Sequence, residues 1–166
     1  PRLNAVSFEL GTRPYSSEAA RLLSRYFGEA RLRYVLGDST KTVPAYAQAG
    51  GRGTCDVLLV DGAHTPDGAY KDIVNMRALA KPNASLLIDD ISEGPGLALR
   101  KAERARVVDG VAWHQYNSSS PENPCIRRVR RNRGGSAKAA ASRAPSRGFW
   151  LCRDNWGWAT ARYRPG

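Results

Sequence analysis

Short apolar segments in this chain run directly into acids, and stretches with helical spacing separate them. Val6-Ser-Phe leads into Glu9, and residues 32–36 lead into Gly37-Asp38-Ser39. Val57-Leu-Leu-Val60 leads into Asp61, and Leu86-Leu-Ile88 leads into Asp89-Asp90. Strands alternating with helical segments predict βαβ units and a parallel sheet. Right-handed crossovers then place helices on both faces. The uninterrupted apolar run 57–60 suits a strand covered on both sides. Ligands of such open sheets bind outside the carboxyl ends of the strands. The acids at four strand ends are therefore expected to converge on one crevice. One acid after a strand is an ordinary turn residue; the whole set in register is the signal.

The helical stretches carry their own punctuation. Ser16 or Ser17 can cap a helix with Glu18 in its first turn, where a carboxylate suits the helix dipole. Ala19, Leu22, Leu23, Tyr26 and Phe27 then recur at helical spacing, and Gly28 stops the run. A short helix is expected over residues 43–49, with Pro44 in its first turn. Thr65-Pro66-Asp67 gives a cap, a proline at the first helical position and an early carboxylate. Ala69, Ile73, Met76 and Ala80 mark its buried face, and Lys81-Pro82-Asn83 breaks it. Gly94-Pro95-Gly96 opens a further helix through Leu97, Leu99 and Ala102, and residues 111–116 form another strand.

The net charge of +11 is unevenly spread. Residues 1–120 hold 15 basic and 13 acidic residues, a net of +2, whereas residues 121–166 hold 11 and 2, a net of +9. Residues 127–147 are rich in Arg, Ser, Gly and Ala, the texture of a low-complexity insertion. Three divisions follow: an α/β domain over 1–120, a basic insertion over 121–148, and a closing hairpin over 149–166. The hairpin pairs residues 149–153 with 159–163 across a turn at Asp154-Asn-Trp-Gly157. No run approaches the roughly 18 apolar residues of a membrane helix. Cys55, Cys125 and Cys152 form neither a CxxC pair nor a zinc spacing. Their odd count argues against a disulfide scaffold, so a reducing, cytoplasmic setting is the expectation.

The segments Val6-Ser-Phe-Glu9, Gly37-Asp-Ser39 with Thr42-Val-Pro44, Cys55-Asp-Val-Leu-Leu-Val-Asp-Gly-Ala-His64, Asp72-Ile-Val-Asn75 and Leu87-Ile-Asp-Asp90 together resemble one family. It is the class I S-adenosylmethionine-dependent methyltransferases of the family 24 type. The likeness runs over residues 5–116, with the final hairpin similar to the antiparallel end of that sheet. It implies a Rossmann-like three-layer α/β sandwich, mostly parallel. It implies S-adenosylmethionine binding by Glu9 near the ribose and by Gly37, Asp38 and Ser39 near the adenine, with Asp61 beside them. Asp61, Asp89 and Asp90 stand where cation-dependent relatives hold Mg2+, which would orient and acidify a hydroxyl of a small-molecule or sugar acceptor. Asp61 and His64 are then the candidate catalytic residues, His64 as base.

The family's glycine-rich loop has no counterpart before Glu9, and the chain begins at the family's second strand. The neighbours of the absent central strand are expected to lack a shared hydrogen-bonding partner, and the chain alone is expected to be inactive. Two other readings compete. Arg127, Arg128, Arg130, Arg131 and Arg133 can neutralise phosphates, and Trp150, Trp156 and Trp158 can stack on bases, giving an inactive remnant that contacts nucleic acid. A solvated insertion explains the same residues and outweighs that reading. Gly37-Asp-Ser39 with Asp61-x-x-His64 superficially matches an esterase, but only about 25 residues separate Ser39 from His64, one βα unit.

Overall fold

The computed structural model describes residues 3–117 and 155–164. Strands and helices alternate as β1 (Ala5–Glu9), α1 (Pro14–Phe27), β2 (Leu32–Leu36), α2 (Ser39–Tyr46), β3 (Cys55–Val60), α3 (Pro66–Met76), β4 (Ala80–Ile88), α4 (Gly94–Arg104), β5 (Val108–Asn117) and β6 (Asn155–Tyr163). The fold is the expected Rossmann-like α/β architecture. β1 and β2 pair in parallel, as do β3 and β4. β6 runs antiparallel to both β4 and β5, completing a four-stranded order β3-β4-β6-β5.

The strands form two sheets rather than one. Among the described residues β1 ladders only with β2, and β3 ladders on one side only, with β4. That division matches the expectation that the flanking strands lack a common partner. Helix α2 packs on both β1 and α3 and so ties the two sheets together. The Phe8 and Tyr46 rings meet edge to face at 5.4 Å across that junction.

The core lies where α3 and α4 cover β3 and β4. Leu58 and Val60 point into it with Ile73, Leu79, Leu86, Ile88 and Leu99. Val57 and Leu59, on the opposite face of β3, are more than half exposed. The alternation of burial along β3 corrects the expectation, drawn from its continuous apolar run, that both faces would be covered. β6 reaches the same core from the antiparallel end, where Ala159 and Ala161 are buried and the Tyr163 hydroxyl donates to the Ile73 carbonyl at 3.0 Å.

Several local expectations need adjustment. Helix α1 starts at Pro14, earlier than Ser16, because proline is tolerated in a first turn whose N–H groups lack partners. Its expected inner face is turned to solvent: Leu22, Leu23, Tyr26 and Phe27 are exposed, and only Ala20 is buried. Helix α2 starts at Ser39 rather than near residue 43, because the Asp38 side chain accepts the Thr40 N–H and caps it. Pro44 thus lies inside the helix. Ala80 belongs to β4, and Lys81-Pro82-Asn83 forms a bulge within that strand, with Asn83 at φ 64°. β5 begins at Val108, three residues before the apolar run. Asn155-Trp-Gly157 is strand, not turn, and its partner is β5. Residues 149–153 and the basic insertion lie outside the described residues.

Candidate functional site

Each expected acid is carried to a carboxyl strand end. Glu9 closes β1, half-buried, and its carbonyl accepts the Gly37 N–H at 2.9 Å, which joins the ends of β1 and β2. Gly37 sits at φ 132°, a backbone state costly for residues with a Cβ. Asp38 then caps α2, its Oδ1 accepting from the Thr40 hydroxyl at 2.7 Å and the Thr40 N–H at 2.9 Å. These bonds hold the Asp38 carboxyl below its usual range, with Lys41 and Lys71 adding to the effect. Ser39 turns the other way and donates from Oγ to Asp72 Oδ1 at 2.6 Å.

A second group gathers at the ends of β3 and β4. Asp61, His64 and Asp90 each offer a ligand atom, and these atoms lie within 4.8 Å of one another. Partial withdrawal from water pushes the Asp61 carboxyl up; Asp89 and Asp90 add to the rise and His64 opposes it. Asp90 has a positive φ of 52°, a conformation Asp tolerates better than most residues, which swings its side chain toward His64. Asp89 stays outside that trio, its Oδ1 accepting the Asp90 N–H at 2.8 Å. The Asp89 N–H donates to the Val60 carbonyl at 3.1 Å, so the two strand ends are fastened together.

His64 is fixed from two sides. Its Nδ1–H donates to Glu93 Oε2 at 3.0 Å, and Nε2 lies 3.4 Å from Asp90 Oδ2. Glu93 reaches it because the start of α4 presses on the start of α3. A Cβ on Gly94 would collide with the His64 carbonyl oxygen. A cleft of about 450 Å3 opens beside Glu93, lined by Ile91, Ser92, Leu97, Arg100 and Trp113. The Arg100 guanidinium lies 4.4 Å from the Trp113 ring centroid. The pairing Ile88–Ala159–Trp113 sets Trp113 level with the end of β4, on the same side as the acids.

Two groups thus form at the strand ends: Glu9 with residues 37–39 on the two-stranded sheet, and Asp61, His64 and Asp90 on the four-stranded one. Two residues with no assigned role adjoin them, Glu93 and Asp72. Glu93 carries no sequence signal, since a carboxylate before Gly-Pro-Gly is unremarkable. Asp72 does carry one: it stands with Ala69, Ile73 and Met76 at helical spacing on the buried stripe of α3, where a charge breaks the pattern. Of the tail tryptophans, Trp158 stacks on His114 with centroids 4.1 Å apart. The five tail arginines and Trp150 lie outside the described residues.

A family model described as a methyltransferase domain matches residues 4–91, more than half of the chain. No curated protein matches. Among solved structures, the O-methyltransferase TomG from Streptomyces achromogenes, solved with S-adenosylmethionine, superposes with a TM-score of 0.58 at 14% identity, covering 98% of this chain and 62% of that one. CalS11, a TDP-rhamnose 3'-O-methyltransferase of calicheamicin biosynthesis, gives 0.50 at 21% identity over 59% of this chain and 48% of that one. A phosphoethanolamine N-methyltransferase of Haemonchus contortus, solved with S-adenosylhomocysteine, gives 0.52 at 11%, over 99% and 44%. At these identities the likeness establishes the fold, and the chain spans about half to three fifths of the first two. The strand order, the acids at the strand ends and the family match agree: this chain belongs to the methyltransferase-domain family, within the class I S-adenosylmethionine-dependent methyltransferases.

Proposed function

We propose that this chain supplies the adenosine-binding and acceptor-activating side of an S-adenosylmethionine-dependent O-methyltransferase acting on a small molecule or sugar. The observation that carries this reading is the convergence of Asp61, His64 and Asp90 at the ends of β3 and β4. A second strand end, at Glu9, is suited to a ribose diol. Asp38 would face the adenine, with the backbone of Ser39 behind it. When bound, the cofactor's sulfonium supplies the methyl group.

The residues of the chain divide the remaining work. The acceptor enters from the cleft beside Glu93 and Trp113. With its Nδ1–H committed to Glu93, His64 would present Nε2, beside Asp90, to take the acceptor hydroxyl's proton as that oxygen bonds to the methyl carbon and the carbon's bond to sulfur breaks, leaving the thioether. Asp61 and Asp90 offer hard oxygen ligands that suit a divalent cation, and when bound the cation would lower the hydroxyl's pKa. Carboxylate oxygens alone suit Mg2+ or Mn2+, which leaves His64 free to act as the base.

The test is transfer of a labelled methyl group to a panel of hydroxyl acceptors, with Mg2+, with Mn2+ and with chelator. Labelled ether products that vanish in His64→Ala support the reading. A folded sample that binds S-adenosylhomocysteine yet methylates nothing favours a second reading, a binding module without turnover. The division into two sheets, with edges on β1 and β3 that no described residue pairs, supports that alternative.

A further inference from the structure

We propose that Asp72 is a positioning residue that couples the loop at residues 37–39 to the loop carrying Asp61 and His64. The proposal rests on the methyltransferase reading for the meaning of the two loops, though not for the coupling itself. Among the described residues Asp72 is the one buried charged side chain, 5% exposed. A carboxylate at such a depth is costly unless its oxygens are satisfied, and the groups that face it come from the two loops. Oδ1 accepts the Ser39 hydroxyl at 2.6 Å, across 33 residues of sequence. The backbone of Ala63, between Asp61 and His64, faces the carboxylate and favours its charged form. Gly62 leaves room for it: a Cβ there would lie 3.5 Å from Oδ2.

An apolar residue at position 72 would continue the stripe of Ala69 and Ile73 and pack without any such cost. The carboxylate instead holds the first residue of α2 by a hydrogen bond and lies against the approach to α3. Ser39 follows the Asp38 cap directly, so the bond sets the turn that presents Asp38. Ala63 precedes His64, so the same carboxylate sets the height of the imidazole above the strand ends. A displacement of either loop is felt by the other through the carboxylate they share, which Ser39 holds by one short, charge-assisted bond. Cofactor seated on residues 37–39 thereby fixes the acceptor-side histidine, with no contact between them.

A double-mutant cycle on the 166-residue chain decides the matter, read by the NMR signals of the His64 imidazole and by calorimetric titration with S-adenosylhomocysteine. Ser39→Ala should shift the His64 signals in the parent chain and leave them in place in an Asp72→Asn background. Each single variant should weaken binding about tenfold, and the pair should weaken it no further, as expected of residues acting through one bond. Costs that add, or His64 signals indifferent to Ser39→Ala in the parent chain, would overturn the coupling. Should Asp72→Asn not fold, Ser39→Ala against Ser39→Thr still decides: threonine restores the hydroxyl and should restore the His64 signals, and a failure to do so refutes the proposal. Absence of any S-adenosylhomocysteine binding sinks the methyltransferase reading but leaves the His64 measurement to judge the coupling.

Discussion

The His64 imidazole donates its Nδ1–H to the Glu93 carboxylate at 3.0 Å, which joins the loop before α3 to the last residue before α4. The pair exists because Gly94, next to Glu93, lets the α4 backbone lie against the His64 carbonyl. The candidate base is thus oriented by a helix start rather than by its own strand.

Glu93→Gln should therefore lower turnover more than it raises the acceptor KM. A carboxamide can accept the same hydrogen bond, but it stabilises a developing imidazolium far less than a carboxylate does. A loss of about tenfold in kcat, with KM within about twofold, is expected for the loss of about 1.4 kcal/mol of transition-state stabilisation. Steady-state kinetics on the best acceptor checks it, and an equal effect on KM would assign Glu93 to acceptor binding instead.

Gly94→Ala should push the two helix starts apart. The added methyl group meets backbone, which cannot rotate away, so the α4 start has to move. Overpacking of this kind costs about 1–3 kcal/mol. Thermal unfolding should show the loss, and the His64 NMR signals should move with it. An unchanged His64 in a normally stable variant would show that the close approach is not what places Glu93.

Asp72 gives the fold a distinctive pH response. Burial lifts its carboxyl above the usual aspartate range, with Asp38 adding to the rise and the Ser39 hydroxyl and the Ala63 backbone opposing it. A folded-state pKa above the unfolded value of 3.8 means that the folded chain holds the proton more tightly. That contribution is complete below the unfolded pKa and is lost as pH rises through the folded one. The stability of the parent chain minus that of Asp72→Asn should therefore fall across this window. Denaturant titrations at closely spaced pH values between about 3 and 7 test the sign; a difference that grows with pH would contradict it.

Tyr163 anchors the antiparallel end of the sheet. Its hydroxyl, buried to the point that its pKa is driven far up, donates to the Ile73 carbonyl in α3. Tyr163→Phe keeps the ring and removes this one bond, so a loss of about 1 kcal/mol is expected. Equilibrium unfolding measures it, and a neutral result would mean that water or a neighbour replaces the donor.

The sequence disclosed the strand ends better than the helix faces. The acids at Glu9, Asp38, Asp61 and Asp89-Asp90 were legible because an apolar run followed by a carboxylate is a local pattern. Thr65-Pro66-Asp67 was legible for the same reason, and Thr65 does cap α3 by accepting the Gly68 N–H. The exposed Leu22, Leu23, Tyr26 and Phe27 of α1 were not, since periodicity shows which face is apolar and not whether anything covers it. Glu93 and Asp72 lie 29 and 33 residues from the side chains they hold. Contacts at such separations leave no trace in spacing, although Asp72 on an apolar stripe was a visible anomaly. The bulge at Lys81-Pro82-Asn83 reads as a break because proline and asparagine commonly end elements, and only strand pairing reveals that β4 passes through it.

The proposed function requires the strand-end residues to bind the adenosyl cofactor. Calorimetric titration of the chain with S-adenosylhomocysteine, with and without Mg2+, tests it most directly. Saturable micromolar binding is expected, weakened about tenfold or more by Glu9→Ala through the loss of a charge-assisted bond to a ribose hydroxyl. A folded sample that takes up no S-adenosylhomocysteine at millimolar concentration would contradict it.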